Sequence, residues 1–397
     1  MTGTSRTRRI ASHVFAVLNW LVPKARRKVV LHSIPDLEDG IQSVLSLMLA
    51  RGFEPVVLFD APNTRERFRR IVGDRPVRFV HKDSAAAALH FLTARYVFVT
   101  HGLYGHPAPP PWQCVVNLWH GEPPGKVVGR YEGEPTRHAT MSPVLSGLGQ
   151  AYRCTAFGMH PSRVPVLGAP RNDRMLRADP ELARTRLVPE AMDRTVFLWL
   201  PTFRRTVPGR YQRADVRGGS SVLPFGADDV KRLDEWLDAR GALVVVKAHP
   251  ASGDELPGEL KAIRALTQAE LESFDLTVYT MLAAFDGLIT DISSVWVDYL
   301  LLDRPIVFAF PDIEQYRATR GISLEPYESW VPGPLVRSVD ALMDAVGAIL
   351  DGRDEFRATR DLARRRTHRY CDDRSTARVV DHAMGRRAGP TEGARGT

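Results

Sequence analysis

Five short stretches of the chain carry side chains that could do chemistry, and each falls where an apolar run ends. The first is NLWHGEPPGKVVG (117–129), in which His120 and Gly121 directly follow a predicted strand and Lys126 lies close behind. An imidazole at a strand end, beside a cation, can serve as a general base next to an anion, and glycine lets a ligand approach the backbone. The second, GAPRND (168–173), reads as a turn from which Arg171 can fork onto a phosphate or carboxylate. The third, LWLPTFRR (198–205), closes a strand at Pro201 and follows it with Thr202, Arg204 and Arg205, a pairing that suits phosphate. In the fourth, VVVKAHP (244–250), Lys247 and His249 are two residues apart and so share one face of a strand that Pro250 stops. The fifth is LITDISSVWVDYLLLDRPIVF (288–308). Its strand ends in Thr290 and Asp291, and Ser293 and Ser294 then open a helix that runs to about Leu302. Hydroxyls and free N–H groups at the positive end of a helix dipole make an anion site without a Walker loop. Asp291 and Asp298 can orient a basic group or a ligand hydroxyl.

Each stretch also has an ordinary structural reading: a packed histidine, an Arg–Asp turn, a solvated basic loop or a routine helix cap. Taken together they give three strand ends bearing cations or histidines and one helix start, spread over both halves of the chain. That set describes a site for a donor containing a diphosphate. The chain has no GxxxxGKS/T, no GxGxxG after a strand, no HExxH and no GxSxG, so P-loop, dinucleotide, zincin and serine-hydrolase readings lose support. No DxD-type carboxylate pair marks a metal site. No cofactor is demanded, although Mg²⁺ could assist through the diphosphate.

The elements that must position these residues alternate. VVLHS (29–33), PVVLF (55–59), VRFV (77–80), YVFVT (96–100) and CVVNLW (114–119) read as strands, with helices over 41–52, about 64–72 and about 84–93. A second series has strands at TVFLWL (195–200), ALVVVKAHP (242–250), FDLTVY (274–279), GLITD (287–291) and PIVFAF (305–310), with an amphipathic helix over 227–241 and more helix after Val339. Short apolar runs alternating with helices predict parallel sheets covered on both faces. The expected fold is therefore α/β, with two doubly wound Rossmann-type domains facing a cleft, in which ligands sit at the carboxyl ends of strands. The expected boundaries are an N-terminal α/β domain over 29–180, a linker near 179–194, a second α/β domain over 190–350, C-terminal helices over 351–384 and a disordered tail from 385.

The 397 residues carry 54 basic and 46 acidic side chains, a net charge of +8 that favours an anionic partner. An apolar share of 44% with 25% charged residues excludes collagen-like, wholly disordered and polytopic membrane classes. Cys114, Cys154 and Cys371 are too few and too scattered for a disulfide framework or a zinc site, which fits a reducing cytosol. Residues 1–28 hold seven lysines and arginines and no acid around the apolar run IASHVFAVLNWLV. Thirteen residues are too few to span a bilayer, which takes about 20, and no small-residue cleavage site follows. The pattern reads as a helix lying on an anionic membrane surface with Trp20 at the headgroup level.

These blocks, in this order, resemble the CDP-glycerol glycerophosphotransferase family of teichoic acid synthesis. The resemblance runs through Trp119-His120-Gly121, Gly168 with Pro170–Asp173, Pro201–Arg204, Lys247 with His249-Pro250, Thr290-Asp291 with Ser293-Ser294, and Asp298–Ile306, and it covers about residues 115–340. It implies a GT-B-type fold, with 29–180 as the acceptor-side domain and 190–350 as the CDP-donor-binding domain. It also implies transfer of glycerol phosphate from CDP-glycerol to a lipid-linked or polymer hydroxyl, with release of CMP, at the cytoplasmic face of the membrane. On this resemblance His120 would be the base toward the acceptor hydroxyl, with Gly121, Glu122 and Lys126 on the acceptor side. His249 would stabilise charge on the leaving CMP. Arg171, Thr202, Arg204, Lys247, Asp291, Ser293 and Ser294 would hold the donor phosphates. Glu122 stands where the family has threonine and Ile292 where it has an aromatic, which leaves the polyol open to ribitol phosphate or another polyol phosphate. A sugar transferase with a nucleotide-sugar donor and a non-catalytic membrane scaffold are the competing readings. Nucleic-acid binding has only the charge in its favour.

Overall fold

The computed structural model describes residues 13–36, 38–61, 64–104, 107–122, 125–132, 138–202, 222–247 and 256–385. The chain divides into two compact units. The first is drawn from Met1–His120, Gly129–Arg174 and His368–Thr397, the second from Gly121–Val128 and Met175–Thr367.

In the first unit a helix over 13–21, α1, precedes a Rossmann-like alternation. It runs β1 (Ala25–His32), α2 (Asp39–Ala50), β2 (Glu54–Phe59), α3 (Thr64–Val72), β3 (Arg78–His81), α4 (Ala85–Thr93), β4 (Ala94–Val99) and β5 (Cys114–Asn117). Two helices follow, α5 (Gly147–Phe157) and the start of α6 (Pro170–Arg177). The strands pair in the order β3-β2-β1-β4-β5, all parallel. Side chains alternate across a strand, so β1 sends Val29 and Leu31 to one core, against Ile41, Val44, Leu45 and Met48 of α2. It sends Val30 to the other, with Leu58, Val97, and Ala87 and Phe91 of α4. Burial on both faces is why these strands read as unbroken apolar runs.

The second unit repeats the scheme with α7 (Pro180–Leu187), β6 (Thr195–Leu200), α8 (Ala227–Ala239), β7 (Ala242–Val246), β8 (Ile263–Ala265), α9 (Gln268–Ser273), α10 (Val278–Leu282) and β9 (Gly287–Thr290). It continues with α11 (Val295–Tyr299), β10 (Ile306–Ala309), α12 (Ile313–Arg320), β11 (Leu335–Val336), α13 (Val339–Leu350) and α14 (Arg357–Thr367). The sheet order is β11-β10-β9-β6-β7-β8, again parallel. Phe197, Trp199, Val244, Val246, Ile289 and Val307 pack with Val230, Leu233 and Leu237 of α8 and Leu342 and Val346 of α13. The α/β expectation with two doubly wound parallel sheets holds, and the three cysteines form no disulfide.

Several local expectations change. FDLTVY (274–279) is not a strand: Thr277 caps α10, donating and accepting in a reciprocal box with Thr280, and this closes a helical turn. The GAPRND turn is the entry of α6, with Pro170 at its first position, where a missing N–H costs nothing. The segment 179–194 is folded, with α7 capped by Asp179 and anchored by Arg184 on the Asp286 carboxylate. The short strands β8 and β11 have no strong apolar run to announce them. Residues 386–397 and 1–12 lie outside the described residues.

A final helix, α15 (Ser375–Ala383), belongs to the first unit, where Val379 and Val380 join the α2 side of the core. Its own cap residue, Arg374, provides no side-chain acceptor. Asp173 does so from 202 residues upstream: its buried carboxylate accepts from the backbone N–H of Ser375 at 2.9 Å, the N–H of Thr376 at 2.7 Å and the Thr376 hydroxyl at 2.6 Å. A carboxylate at a helix start satisfies open donors and complements the dipole. Gly168, at φ +85°, allows the contact, since a Cβ there would lie 2.2 Å from the Ser375 hydroxyl oxygen. Asp173→Ala is expected to destabilise the first unit by about 2–4 kcal/mol, through buried donors left unpaired. Urea unfolding would measure that loss, and amide exchange in 377–383 should accelerate more than in β1.

Candidate functional site

His120 leaves the carboxyl end of the first sheet through a strained turn. Trp119 sits at φ +57°, a left-handed conformation that costs a non-glycine residue about 1–2 kcal/mol. Its N–H is fixed by Asn117 Oδ1 at 3.0 Å, and its ring lies edge-on to Phe157, 4.6 Å between centroids, with the buried Arg153 guanidinium 5.6 Å from its centre. Arg153 in turn donates to the Ser142 hydroxyl, which donates to the Asn117 carbonyl. This chain of contacts, rather than the loop itself, sets where His120 points. The imidazole is exposed.

His101 was not singled out from the sequence. It follows β4, the neighbour of β5, and its ring is stacked on that of His120, with centroids 4.2 Å apart and planes 3° from parallel. A signal was present: His-Gly occurs twice, at 101–102 and 120–121, each time just past a strand. His32, at the end of β1, was also missed. It is buried with neither ring nitrogen hydrogen-bonded, and burial lowers its pKa.

Arg171 is placed in the first unit. It is buried in the first turn of α6, where its charge acts on Glu38, the cap of α2. Burial, reinforced by Asp39, pushes the Glu38 carboxyl up to about 7, while Arg171 and the N–H groups of Gly40 and Ile41 pull it back. Asp39 is held by Arg174 at 3.0 Å.

The remaining described candidates fall in the second unit. Asp291, just past β9, is buried and faces Thr202, just past β6. Its carboxylate accepts from the Thr202 N–H at 2.9 Å, the Thr202 hydroxyl at 2.6 Å and the Ser293 N–H at 3.2 Å. The Asp291 carbonyl accepts from the Tyr327 phenol at 3.0 Å. Asp291 and Thr202 thus bracket two strand ends and hold the 291–294 turn. Ser293 and Ser294 are half-buried beyond it, and Ser294 precedes α11 without capping it through its side chain. Asp298 accepts from the Tyr279 phenol at 2.7 Å.

Gly121 packs against Ser294 so closely that a Cβ would lie 2.3 Å from its hydroxyl oxygen. Glu122 is buried. Lys126 bridges Ile322, with its carbonyl accepting from the Ser323 hydroxyl. Lys247, just past β7, is 5% exposed. Desolvation pushes its pKa down to about 8, opposed by the charge of Glu272. Arg204, Arg205, His249 and Pro250 lie outside the described residues. Among the described residues, the one metal-like cluster is Asp60, His81 and Asp83, exposed at the ends of β2 and β3, where the Lys82 ammonium already pairs with Asp60 at 2.7 Å.

Against known proteins, the CDP-Glycerol:Poly(glycerophosphate) glycerophosphotransferase family profile matches residues 14–384. The chain is 30% identical over 292 residues to the teichoic acid ribitol-phosphate polymerase TarL of Staphylococcus aureus, covering 69% of this chain and 48% of that protein. It is 33% identical over 200 residues to the teichoic acid ribitol-phosphate primase of Bacillus spizizenii, covering 47% of this chain and 45% of that one. The chain thus spans about half the length of the curated relatives it matches. Among solved structures, the wall teichoic acid polymerase TagF superposes with a TM-score of 0.72 at 18% identity, covering 96% of this chain and 94% of that one. A UDP-GlcNAc 2-epimerase from Neisseria meningitidis reaches 0.52 at 9%, covering 91% and 99%. Both likenesses concern the fold.

A lysine whose pKa falls on folding binds fewer protons folded than unfolded between about 8 and 10.5, so stability rises with pH across that window. Below it, the buried charge costs about 3 kcal/mol at 1.36 kcal/mol per pKa unit. Lys247→Met is expected to raise the melting temperature at pH 7 and to remove that part of the rise between pH 8 and 10.5. Thermal melts of both proteins across this range check it.

Proposed function

The chain belongs to the CDP-glycerol:poly(glycerophosphate) glycerophosphotransferase family, and on that footing we propose that it transfers a polyol phosphate from a CDP-polyol to an acceptor hydroxyl with release of CMP. The acceptor oxygen attacks the phosphorus that carries the polyol. The bond from that phosphorus to the bridging oxygen breaks, CMP leaves with the electron pair, and the acceptor proton passes to His120. The observation that carries the reading is the family match across 14–384, with His120 of its Trp-His-Gly block exposed at a strand end.

In this reading Lys247, Ser293 and Ser294, with Arg204 and His249, serve the diphosphate. A phosphate beside Lys247 offsets the desolvation that depresses its pKa. Thr202 and Asp291 act through the turn they hold, and Arg171 through the start of α2. Gly121, Glu122 and Lys126 serve the acceptor side. Positioning and charge stabilisation supply most of phosphoryl-transfer catalysis. CDP-glycerol is the first donor to try. CDP-ribitol is the second reading, favoured by the ribitol-phosphate relatives. The acceptor class is a lipid-linked or growing polyol-phosphate chain of a teichoic-acid-like polymer.

We also propose a peripheral membrane attachment through α1. Phe15 and Asn19 face inward, Phe15 on Phe91 and Tyr104, and Asn19 buried on Gln113 at 2.8 Å. Val14, Val17, Leu18 and Leu21 form an apolar stripe at helical spacing that faces outward, with Trp20 exposed against Trp112. Arg26 and Arg27 follow, exposed, at the start of β1. No helix among the described residues is long and apolar enough to cross a membrane. An exposed apolar stripe beside cations suits the surface of an anionic bilayer.

CMP release from CDP-glycerol and CDP-ribitol, with a lipid-linked acceptor analogue, tests the activity. Acceptor-dependent release that falls about 10²- to 10⁴-fold in His120→Ala is the expected result. Release of a nucleoside diphosphate from a nucleotide-sugar instead would overturn it. For the membrane, co-sedimentation with phosphatidylglycerol vesicles should fall at least tenfold in Leu18→Asp/Leu21→Asp, while phosphatidylcholine vesicles bind neither protein.

A further inference from the structure

We propose that His101 is a positioning residue for His120: its ring, stacked on the His120 imidazole, holds the base in the one orientation that reaches the acceptor hydroxyl. The proposal deepens the reading above and rests on the assignment of His120 as the base.

Three observations in the first unit carry it. First, the stack is close and nearly parallel, with centroids 4.2 Å apart and planes 3° from parallel. Second, Trp119 lies 4.3 Å from His120 and 5.8 Å from His101, so the two neighbours stand at roughly a right angle around the base, one on its face and one at its side. A ring with one neighbour on its face and another at its side cannot swing toward either of them. Third, His101 is itself fixed. Its Nδ1 is 3.1 Å from the Thr100 hydroxyl, and that buried hydroxyl accepts from the Ile34 N–H at 3.1 Å. The loop after β1 thus holds Thr100, Thr100 holds His101, and His101 faces His120. Trp119 has its own anchor through Asn117 and Arg153, so the base is clamped by two independent supports.

The chemistry explains why this matters. A general base works only when its nitrogen stands within hydrogen-bond reach of the proton it takes, and a displacement of about 1 Å can cost about 100-fold in rate. His120 sits on an exposed turn, where an unsupported imidazole would sample several rotamers. A flat neighbour supplies the constraint. Stacking asks for planarity rather than for a second titrating nitrogen, so an aromatic ring at 101 should largely replace the histidine.

The test uses the full-length protein with the donor that proves active and a lipid-linked acceptor analogue. His101→Ala is expected to lower kcat about 10- to 100-fold while the KM for the donor changes less than threefold. His101→Phe should restore kcat to within about threefold of the wild type, and His101→Leu, bulky but not flat, should not. Proton NMR of the histidine ring signals gives a readout independent of turnover. The His120 ring protons should be shifted upfield by the neighbouring ring in the wild type and in His101→Phe, and should move downfield in His101→Ala. Wild-type kcat in His101→Ala, with His120→Ala inactive, overturns the proposal, as does equal loss in Ala, Phe and Leu variants that melt like the wild type. An upfield-shifted His120 together with full activity in His120→Ala would instead sink the base assignment and leave the stack standing.

Discussion

Parallel pairing puts the carboxyl end of every strand in a sheet on one edge, and every strand pair in both sheets here is parallel. Everything chemical in the protein depends on that constraint. Strands buried on both faces can offer functional side chains only where they end. His32, His101 and His120 leave β1, β4 and β5 along one edge of the first sheet. Thr202, Lys247 and Asp291 leave β6, β7 and β9 along one edge of the second. The connections after those ends therefore differ in kind from the returning helices. They contain the positive-φ residue Trp119 and the tight approach at Gly121, and they carry hydrogen bonds that join one strand end to the next, as between Thr202 and Asp291.

The edges are kept at a cost in stability. Lys247 is held where water is scarce, and Glu38 where its carboxyl titrates near neutrality. Trp119 keeps a left-handed backbone that glycine would adopt freely. Each is a local expense, and each has a neighbour that opposes it: Glu272 toward Lys247, Arg171 opposite Glu38, and Arg153 against the Trp119 ring.

The layers and the strand ends were legible in the sequence, because strands buried on both faces must read as apolar runs and the residues after them stand out by type. His120 and Lys247 were found that way. What periodicity does not encode is where a side chain turns once its strand has ended. Thr202 and Asp291 were recognised as important, but only the coordinates show them bonded to each other. The FDLTVY run was misread because its residue types favour strand, while the decisive signal, Thr277 with Thr280, lies in capping rather than hydropathy. His101 escaped although it repeats the His-Gly pattern of His120. Seeing its value requires knowing that β4 and β5 are neighbours.

The Asp173 contact with α15 has a consequence for synthesis. Every stretch of the second unit, from Gly121 to Thr367, leaves the ribosome before α15 does. The apolar side of α2 is made well before the residues that cover it, Val379 and Val380. During elongation the later-encoded unit can close first, while the earlier one waits with Ile41, Val44 and Met48 uncovered. That interval is where a nascent chain is most exposed to misassociation, and its length is set by the translation time of the more than three hundred codons between α2 and α15 rather than by any intrinsic folding rate.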